Sequence, residues 1–405
     1  MQPQAYLDSL QPLAMRFGLE RVERGLAALG RPDRGYPILH VAGTNGKGST
    51  CAMAAAALRA AGHRVGLYTS PHLVRFHERI QVDGEPISEE QLADRIEEVR
   101  RACPWSEAGG PEERLTYFEF ATLLGLTHFA VEAVEVVVLE VGLGGRFDAT
   151  NAVTPRVTAV SRIGLDHVQL LGSTLDAIAR EKAGIFKLGV PAVVAGNQAP
   201  EALAALEEEA RRRGAPFQVA ASSYPGRMSL RGPHQRENAA LAEAALRLLD
   251  SGGVRVGEGP LAEGIAGARW PGRLEEMRGV VLDGAHNPDG AAALAAALPA
   301  LYPGRPVELV FGVLTDKDHL GMLEALGPVA RRMHLVAPDS PRARAPGTFL
   351  ELASRRCAAV DVHENVLAAL ACARGAAKDG ALVCVAGSLY LVGEARRHLE
   401  EGRAE

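Results

Sequence analysis

The segment from Pro37 to Ala61 constrains the fold more than any other part of the chain. It begins with the apolar run PILHVAG, passes through the glycine-rich stretch GTNGKGS and ends in the alanine-rich stretch CAMAAAALRAA. This order predicts a buried strand, a tight loop and a helix over about 47 to 61. Strand, loop and helix in succession are the unit from which parallel sheets are built, so the segment favours an α/β fold.

The same alternation continues along the chain. Further strand-like runs are HRVGLYTS, VEVVVLEVG, RVTAVSRIG and VPAVVAG. After about residue 274 the pattern restarts with GVVLDGA, VELVFGV, MHLVAP, AAVDVH and ALVCVAG, with helices expected from Pro288, Lys317 and about 347. We therefore predict a large parallel-sheet domain over 1–273 and a smaller Rossmann-like domain over 274–405. The junction falls in ARWPGRLEEMRG, where a Pro-Gly pair suits a boundary.

Composition and charge argue against several classes of protein. The net charge of −5 gives no sign of a nucleic-acid partner. No apolar run reaches membrane-spanning length, and the start, MQPQAYLDSLQPLAMRFGLE, lacks the features of a secretory signal. Five cysteines without a C-x-x-C pair are typical of reduced thiols in the cytosol. We expect a cytoplasmic monomer with no nucleic-acid or membrane partner.

The stretch GTNGKGS is close to a phosphate-binding loop, but its hydroxyl is displaced. In the usual pattern a Ser or Thr directly follows the lysine, whereas here Gly48 follows Lys47 and the hydroxyl is that of Ser49. Glycines let a backbone approach a polyphosphate, the helix start adds positive potential, and a lysine adds charge. A tight turn that happens to hold a lysine is the alternative. We predict a nucleoside triphosphate site formed by Gly43, Thr44, Asn45, Gly46, Lys47, Gly48 and Ser49.

Acidic and imidazole side chains lie at the carboxyl ends of two predicted buried strands. Glu140 lies near the carboxyl end of VEVVVLEVG, the end that faces the ligand in open parallel sheets, and would suit Mg²⁺. Pairing with Arg146 explains this carboxylate equally well. Asp166 and His167 follow the next strand at the same predicted edge, which favours a metal role for the histidine over a structural one. For Lys182, in IAREKAGIFK, spacing alone favours a solvated charge at a helix end.

Eleven motifs in fixed order carry a resemblance. They are GTNGKGST, YTSPHLVRFHERI, LTYFEFAT, EVGLGGRFDATN, IGLDHVQLLG, EKAGIFK, HQRENAALA, WPGRLE, LDGAHNPDG, DKDH and VAGSLYLVGE. Together they resemble the folylpolyglutamate synthase/dihydrofolate synthase family of the Mur ligase superfamily, from about residue 20 to 395. The displaced hydroxyl is this family's own form of the loop. The resemblance implies a Mur-ligase-like fold and an ATP-dependent ligase that forms an acyl phosphate and joins it to L-glutamate. The acceptor, the substrate to which glutamate is added, would be dihydropteroate, reduced folates or, as we expect, both.

The resemblance also implies roles at the phosphates. Lys47 and the loop would hold the β- and γ-phosphates of ATP. Ser49 and Glu140 would hold a first Mg²⁺, and Glu140 and His167 a second. Lys182 matches the family lysine that can be carbamylated. The expected catalytic residues are Lys47, Glu140, His167 and Lys182.

Further residues are implied to bind nucleotide from later in the chain. Asn238 matches the position that meets adenine, Arg273 the arginine that reaches the phosphates, and Asp283 a position near the ribose, with His286 beside it. Taken alone, Arg273 reads as a linker charge and His286 as a cap at a helix start. The C-terminal domain is expected to bind glutamate and to close the cleft.

The folate side of the site rests on two motifs. SPHLVRFHERI resembles a mobile loop over the substrate, and LTYFEFAT resembles a segment lining the pteroate end. The implied substrate contacts are Ser70, His72 and Arg79 in the first motif and Thr116, Phe118 and Glu119 in the second. Phe118 could equally be a core residue.

Three other functions are alternatives to this one. A peptidoglycan Mur ligase shares the fold and chemistry but gives no reason for TSPHLVRF and LTYFEF. A P-loop kinase or NTPase predicts ATP turnover that is independent of glutamate. A non-catalytic ATP-binding module is disfavoured because Ser49, Glu140, His167 and Lys182 are all present.

Overall fold

A computed structural model describes residues 3–10, 16 and 18–402 of the chain. Contacts divide it into two compact units. The first unit comprises the described residues up to 163 together with 173–229 and 236–269. The second unit comprises 164–172, 230–235 and the described residues from 270 onwards. It thus includes two short segments from within the predicted first domain.

The strands alternate with helices through both units. The strands are β1 (Ile38–Ala42), β2 (Val65–Tyr68), β3 (Ile80–Val82), β4 (Glu85–Pro86), β5 (Val136–Glu140), β6 (Val157–Val160), β7 (Ala192–Val194), β8 (Phe217–Val219), β9 (Glu275–Met277), β10 (Val280–Leu282), β11 (Val307–Phe311), β12 (Arg332–Leu335), β13 (Val360–Val362) and β14 (Leu382–Ala386).

Most of the helices are longer than the strands. They are α1 (Pro3–Leu10), α2 (Glu20–Ala28), α3 (Lys47–Ala60), α4 (Glu89–Ala102), α5 (Pro104–Ala108), α6 (Tyr117–Val131), α7 (Val168–Leu171), α8 (Leu175–Lys182), α9 (Pro200–Arg213), α10 (Pro233–Ser251), α11 (Glu258–Gly267), α12 (Pro288–Leu301), α13 (His319–Leu326), α14 (Leu350–Arg356), α15 (Val366–Ala376) and α16 (Leu389–Glu400). None of these described helices has the length and apolarity to cross a membrane.

The first unit is built on an eight-stranded sheet of order β4-β3-β2-β5-β1-β6-β7-β8. The strands from β2 to β8 in this order are parallel, and β3 and β4 add an antiparallel edge. Every residue of β1 and β5 is buried, because helices cover both faces of this part of the sheet. In the β1–β5 register Val41 pairs with Glu140, so both strands end at the same level. The loop after β1 and the residue that ends β5 are therefore neighbours.

The second unit has a six-stranded sheet of order β13-β12-β11-β14-β10-β9. Its strands are parallel except β9, which pairs antiparallel with β10. Its core is a cluster of buried aliphatic and aromatic side chains that includes Phe311, Phe349 and Leu323. The predicted α/β fold, with a phosphate-loop domain and a smaller Rossmann-like domain, is confirmed.

The predicted strands are present, and the differences lie at element ends and sheet edges. The helix expected from Lys317 begins at His319, because Asp318 caps it by accepting from the Gly321 amide at 3.0 Å. The helix expected from about 347 begins at Leu350, after a short 3₁₀ turn. The short strands β3, β4, β8 and β9 had no predicted counterpart, since two or three partly exposed residues leave no clear hydrophobic period.

Candidate active site

The glycines of the loop after β1 are required by contact as well as by backbone angle. Gly43 and Gly46 have φ values of 142° and 92°, a region that favours glycine. A Cβ at Gly43 would lie 1.9 Å from Oγ of Ser161, and one at Gly46 would lie 2.1 Å from Oδ1 of Asn238. The loop is thus pressed against β6 on one side and α10 on the other. The structure brings Asn238, the predicted adenine contact, directly onto the phosphate loop.

Hydrogen bonds hold this loop in one shape. The amides of Thr44 and Asn45 donate to the carbonyl oxygen of Arg162 at 3.0 and 3.3 Å. Nζ of Lys47 donates to the carbonyl oxygens of Gly43 and Thr44 at 3.1 and 3.2 Å. In the described part of the chain no side chain caps the start of α3, so its first amides remain as donors for an anion. Lysine and helix start together form a positive cradle.

Glu140 is buried beside this cradle. Its Oε2 accepts from the amide of Ser70 at 3.0 Å, which draws the start of the SPHLVRFHERI segment to the end of β5. Burial raises the pKa of the Cys51 thiol on α3, the charge of Glu140 raises it further, and the charge of Lys47 lowers it. Cys51 therefore lies close enough to Glu140 and Lys47 for both charges to affect its pKa. Arg146, the alternative partner of Glu140, forms an ion pair with Glu181 at 3.4 Å.

Lys182 is buried, so the expectation of a solvated charge at a helix end was wrong. It is the last residue of α8 and only 4% exposed. A Cβ at Gly145 would lie 2.7 Å from its carbonyl oxygen, and one at Gly184 would lie 2.4 Å from Cα of Arg146. These glycines let the loop that follows Glu140 pack directly against the end of α8. The close packing of two loops, which local spacing does not reveal, removes the lysine from solvent.

The SPHLVRFHERI segment contains an internal hydrogen bond between two predicted folate contacts. Nε of Arg79 donates to Nδ1 of His72 at 2.9 Å. Burial, together with the charges of Arg79 and His77, lowers the pKa of His72 to about 3. Arg79 is itself buried, with its guanidinium carbon 5.4 Å from the Tyr117 ring centroid. His72 is therefore a neutral acceptor near pH 7, and Arg79 is positioned by it.

Thr116 and Glu119, two more predicted folate contacts, have structural partners. Thr116 caps α6 in a capping box, in which its amide donates to Glu119 Oε2 at 2.7 Å. Glu119 also accepts from Arg21 through both of its oxygens at 2.8 to 3.2 Å. Phe118 is half-buried, and its ring packs against Gly142, where a Cβ would lie 2.4 Å from Cζ. Of the three, Phe118 lies at the loop that follows Glu140.

In the second unit, Asp166 is the centre of a charged cluster. Nζ of Lys317 lies 2.6 Å from its Oδ1, and Nδ2 of Asn287 donates to its Oδ2 at 3.2 Å. Nε2 of His286 is 3.6 Å from the same Oδ2. Lys317 also lies 3.3 Å from Nε2 of His167. The structure therefore joins the LDH, AHN and DKD segments, which the sequence had suggested only as separate motifs.

The cluster sets the protonation of its members. Burial by itself would raise the pKa of Asp166, but its contact with His286 and the charge of Lys317 outweigh it and hold the pKa well below its usual value. Burial lowers the pKa of His167 to about 4, against the opposing charge of Asp166. At neutral pH Asp166 is ionised and His167 is neutral. A neutral imidazole has the lone pair that a metal ligand needs.

The remaining predicted nucleotide contacts lie near the start of the second unit. Asp283 is buried and accepts from the amides of Leu274 and Ala285, one to each oxygen, at 2.9 Å. Arg273 is half-buried and packs on Gly284, where a Cβ would lie 2.1 Å from its Nη1. The cap of α12 is Asn287 and not His286, whose Nδ1 instead lies 2.8 Å from the carbonyl oxygen of Gly284.

Sequence reasoning did not assign two polar residues of this unit. Lys317 lies in the DKDH motif and Asn287 in the LDGAHNPDG motif, so both stood in recognised segments without a role. Both reach Asp166, and the side chain of Lys317 is only 7% exposed. The sequence signal for Lys317 was its place in DKDH, one of the motifs that carry the family resemblance.

Comparison with known proteins gives a consistent result. A family model described as the Mur ligase middle domain matches residues 41–211, and one described as the Mur ligase, glutamate ligase domain, matches 272–389. The Bacillus subtilis protein named dihydrofolate synthase/folylpolyglutamate synthase is 36% identical to this chain, with 95% of each chain covered.

Solved structures agree over nearly the full length. Mycobacterium tuberculosis folylpolyglutamate synthase complexed with ADP matches with a TM-score of 0.89 and 33% identity, covering 98% of this chain and 97% of that one. Escherichia coli FolC in complex with DHPP and ADP matches with a TM-score of 0.87 and 34% identity, covering 100% and 99%. With this degree of likeness along the whole sequence, the chain belongs to the folylpolyglutamate synthase/dihydrofolate synthase family, the ATP-dependent glutamate ligases of the Mur ligase type.

Proposed function

We propose that this chain joins the amino group of L-glutamate to a carboxylate of dihydropteroate and of reduced folates, at the expense of ATP. The observation that carries the proposal is the grouping in the first unit of the phosphate loop, the buried Glu140 and the buried Lys182. Family membership supplies the reaction. One relative is solved with DHPP and ADP and another with AMPPCP and folate, and these complexes support the two proposed substrates. The motifs TSPHLVRF and LTYFEF distinguish this acceptor from that of a peptidoglycan ligase.

ATP is assigned to the loop at residues 43–49. A carboxylate is a poor acyl donor because its leaving group would be an oxide, whereas an acyl phosphate loses phosphate readily. The amides that begin α3 and the ammonium of Lys47 are proposed to stabilise negative charge on the transferring phosphate. The fixed shape of the loop means that little reorganisation is needed when ATP binds. Asn238, which lies against Gly46, is assigned to the adenine side.

The donor set suits Mg²⁺. Ser49 offers a buried hydroxyl and Glu140 a buried carboxylate, the hard oxygen atoms that this ion prefers. His167, neutral because burial lowers its pKa to about 4, is proposed as a ligand of a second ion. Bound Mg²⁺ would neutralise phosphate charge. Glu140 is itself oriented by the Ser70 amide, so its position is set before any ion binds.

Lys182 is proposed to be carbamylated. An ammonium buried beside a divalent ion would repel it, whereas a carbamate is an anion with hard oxygen atoms. The lysine is 4% exposed at the end of α8, and the loop that follows Glu140 packs on it. Carbamylation requires an unprotonated amine, and burial in general disfavours the charged form of an amine. Carbamylation would therefore replace the positive charge of Lys182 with a negative one.

The pterin is assigned to Ser70, His72, Arg79 and Phe118. His72 holds Arg79 in place through a hydrogen bond of 2.9 Å, and Phe118 offers a half-buried ring at Gly142. Thr116 and Glu119 were also predicted contacts, and we retain them as residues that set the start of α6. Glutamate is assigned to the second domain, 274–405. Arg273, at the end of the first domain, and Asp283 and His286, in the second, are proposed to contribute to nucleotide binding. We also propose that the enzyme acts as a cytoplasmic monomer.

The decisive experiment supplies ATP, L-glutamate and either dihydropteroate or tetrahydrofolate, and identifies products by mass spectrometry. The proposal requires a product heavier by one glutamyl residue with each acceptor, and ADP release that depends on both acceptor and glutamate. Product with one acceptor alone would restrict the function to that acceptor. Release of ADP without glutamate, and with no new amide, would indicate a kinase or NTPase and overturn the proposal.

A further inference from the structure

Four side chains with metal-binding atoms come together beside the edge strand of the second unit. They are His334 on β12, Asp361 on β13, His363 directly after β13, and Cys372 on α15. One ligand atom of each lies within 4.8 Å of those of the other three. His334 is buried, Asp361 and His363 are half-buried, and Cys372 is exposed. No role in the ligase reaction has been assigned to any of them.

The fold brings these residues together by strand register. His334 pairs with Asp361 across β12 and β13, so the two side chains project from the same face. His363 is two residues beyond Asp361 and returns to that face because strand side chains alternate. Helix α15 packs on β12 and contributes Cys372. Three neighbouring elements thus point ligands to one place.

The spacing of the two imidazoles suits a metal ion. Nδ1 of His334 and Nε2 of His363 are 3.1 Å apart. Two nitrogens bound tetrahedrally to zinc, each at about 2.0–2.1 Å, are separated by roughly 3.3 Å. In the metal-free protein one ring must donate N–H to the other, so an ion would replace that hydrogen bond with little movement.

A buried carboxylate orients the first of these rings. Nε2 of His334 lies 2.9 Å from Oε2 of Glu308, a fully buried residue on β11. If this nitrogen donates, Nδ1 carries the lone pair and faces His363. A carboxylate behind a metal-binding histidine is the usual arrangement for fixing the tautomer and the ring orientation. Glu308 is in turn held by Nε of Arg331 at 2.7 Å.

A competing cation is also present. Nη1 of Arg332 donates to Oδ2 of Asp361 at 2.6 Å, which occupies one of the two carboxylate oxygens. The other carboxylate oxygen remains to bind a metal ion, and the arginine side chain is 40% exposed. The carboxylate and a Cys372 thiolate would balance the charge of a divalent ion. The arginine weakens the site without blocking it.

We propose that His334, Asp361, His363 and Cys372 form a binding site for Zn²⁺. Two imidazoles, a thiolate and a carboxylate make a four-ligand set of the kind that zinc takes, whereas Mg²⁺ prefers oxygen ligands alone. A bound ion joins the edge strand β13 and helix α15 to β12. The site stabilises one edge of the second sheet and is separate from the ligase chemistry.

The test uses the full chain, freed of metal by a chelator and kept in excess Mg²⁺ so that oxygen-rich sites are masked. Co²⁺ is added as a spectroscopic probe and then displaced by Zn²⁺. We expect one equivalent of Co²⁺ to give the intense visible absorption of a tetrahedral site and a thiolate charge-transfer band. Cys372→Ser should remove that band. His363→Ala should weaken binding at least about tenfold, since loss of an orienting partner alone has that effect.

Control variants separate this site from general binding. His398→Ala, which changes a half-buried histidine on α16, should bind Co²⁺ like the parent chain. Zn²⁺ should raise the melting temperature of the parent and of His398→Ala but not of His363→Ala. The proposal is overturned if the parent shows no tetrahedral Co²⁺ spectrum, or if Cys372→Ser and His363→Ala keep the parental spectrum and affinity. The cluster would then be a hydrogen-bonded network only.

Discussion

The phosphate loop of the first unit and Asp166 of the second unit are held in position by different means. In the first unit the phosphate loop is held by backbone: glycines fit against Ser161 and Asn238, and two loop amides bond to the Arg162 carbonyl. In the second unit Asp166 is held by side chains, from Lys317, Asn287 and His286. A site shaped by backbone tolerates the loss of a charge without losing its shape. A site made of buried charges depends on each of them for its stability.

The largest effect is expected where a buried charge loses its partner. Lys317→Met should destabilise the folded protein by about 3 kcal/mol, at the low end for breaking a buried ion pair because Asn287 and His286 remain. Urea unfolding at pH 7 measures this. An unchanged midpoint would mean that the second unit is no more dependent on side-chain charge than the first.

This destabilisation should depend on pH. The pKa of Asp166 is held low in the folded state. Its contacts therefore stabilise the folded protein fully above the unfolded-state pKa of about 4, and this stabilisation is lost as the pH falls through the folded-state pKa. The difference between the parent and Lys317→Met should therefore be full at pH 7 and shrink at strongly acidic pH. A difference that grows towards acid pH would contradict the assignment.

In the first unit the expected loss is of activity and not of stability. Glu140→Gln keeps the shape of the side chain and its bond to the Ser70 amide but removes the charge. Ligation should fall on the order of 100-fold, the loss seen when one preorganised electrostatic contact is removed. Glu181→Gln, which breaks only the pair with Arg146, is the matched control and should keep most activity. Near-normal turnover in Glu140→Gln would show that this carboxylate is structural.

Lys182→Ala tests the carbamate. The variant should lose about 10- to 100-fold in activity, as expected for a group that supports a metal ligand. Acetate or formate should restore part of it by occupying the vacated carboxylate position. Lys187→Ala, in the same EKAGIFK segment, should show no such rescue. Full activity in Lys182→Ala would end the carbamate proposal.

The smallest effect is expected at Arg273. Removing its proposed contact with phosphate should lower turnover by roughly tenfold, the lower range for a hydrogen bond to a charged group. The melting temperature of Arg273→Ala should stay near that of the parent and of the exposed control Arg278→Ala. If instead the melting temperature fell while activity per folded molecule held, Arg273 would be a structural residue of the second unit.

The difference between local patterns and contacts remote in the chain explains which parts of the site could be predicted from the sequence. The phosphate loop and Glu140 could be proposed from the sequence because the loop directly follows a buried strand and Glu140 ends one, and a buried strand is a local pattern of apolar residues. Lys182 was misjudged because its burial comes from Gly145 and Gly184, which bring a distant loop onto α8. Lys317 was not assigned because its partners Asp166 and His167 are far away in sequence. Local spacing carries no information on such pairings.

The sequence by itself determined the order of strands and helices, the α/β class and the place of the phosphate loop, because these follow from short-range hydrophobic period and glycine content. Its eleven ordered motifs also determined the family. The tertiary structure decided which charges are buried and with which partners: Lys182 against the loop after Glu140, Lys317 on Asp166, and His334 between Glu308 and His363. Burial and pairing depend on contacts between segments remote in the chain, and only the folded arrangement of the sheets creates those contacts.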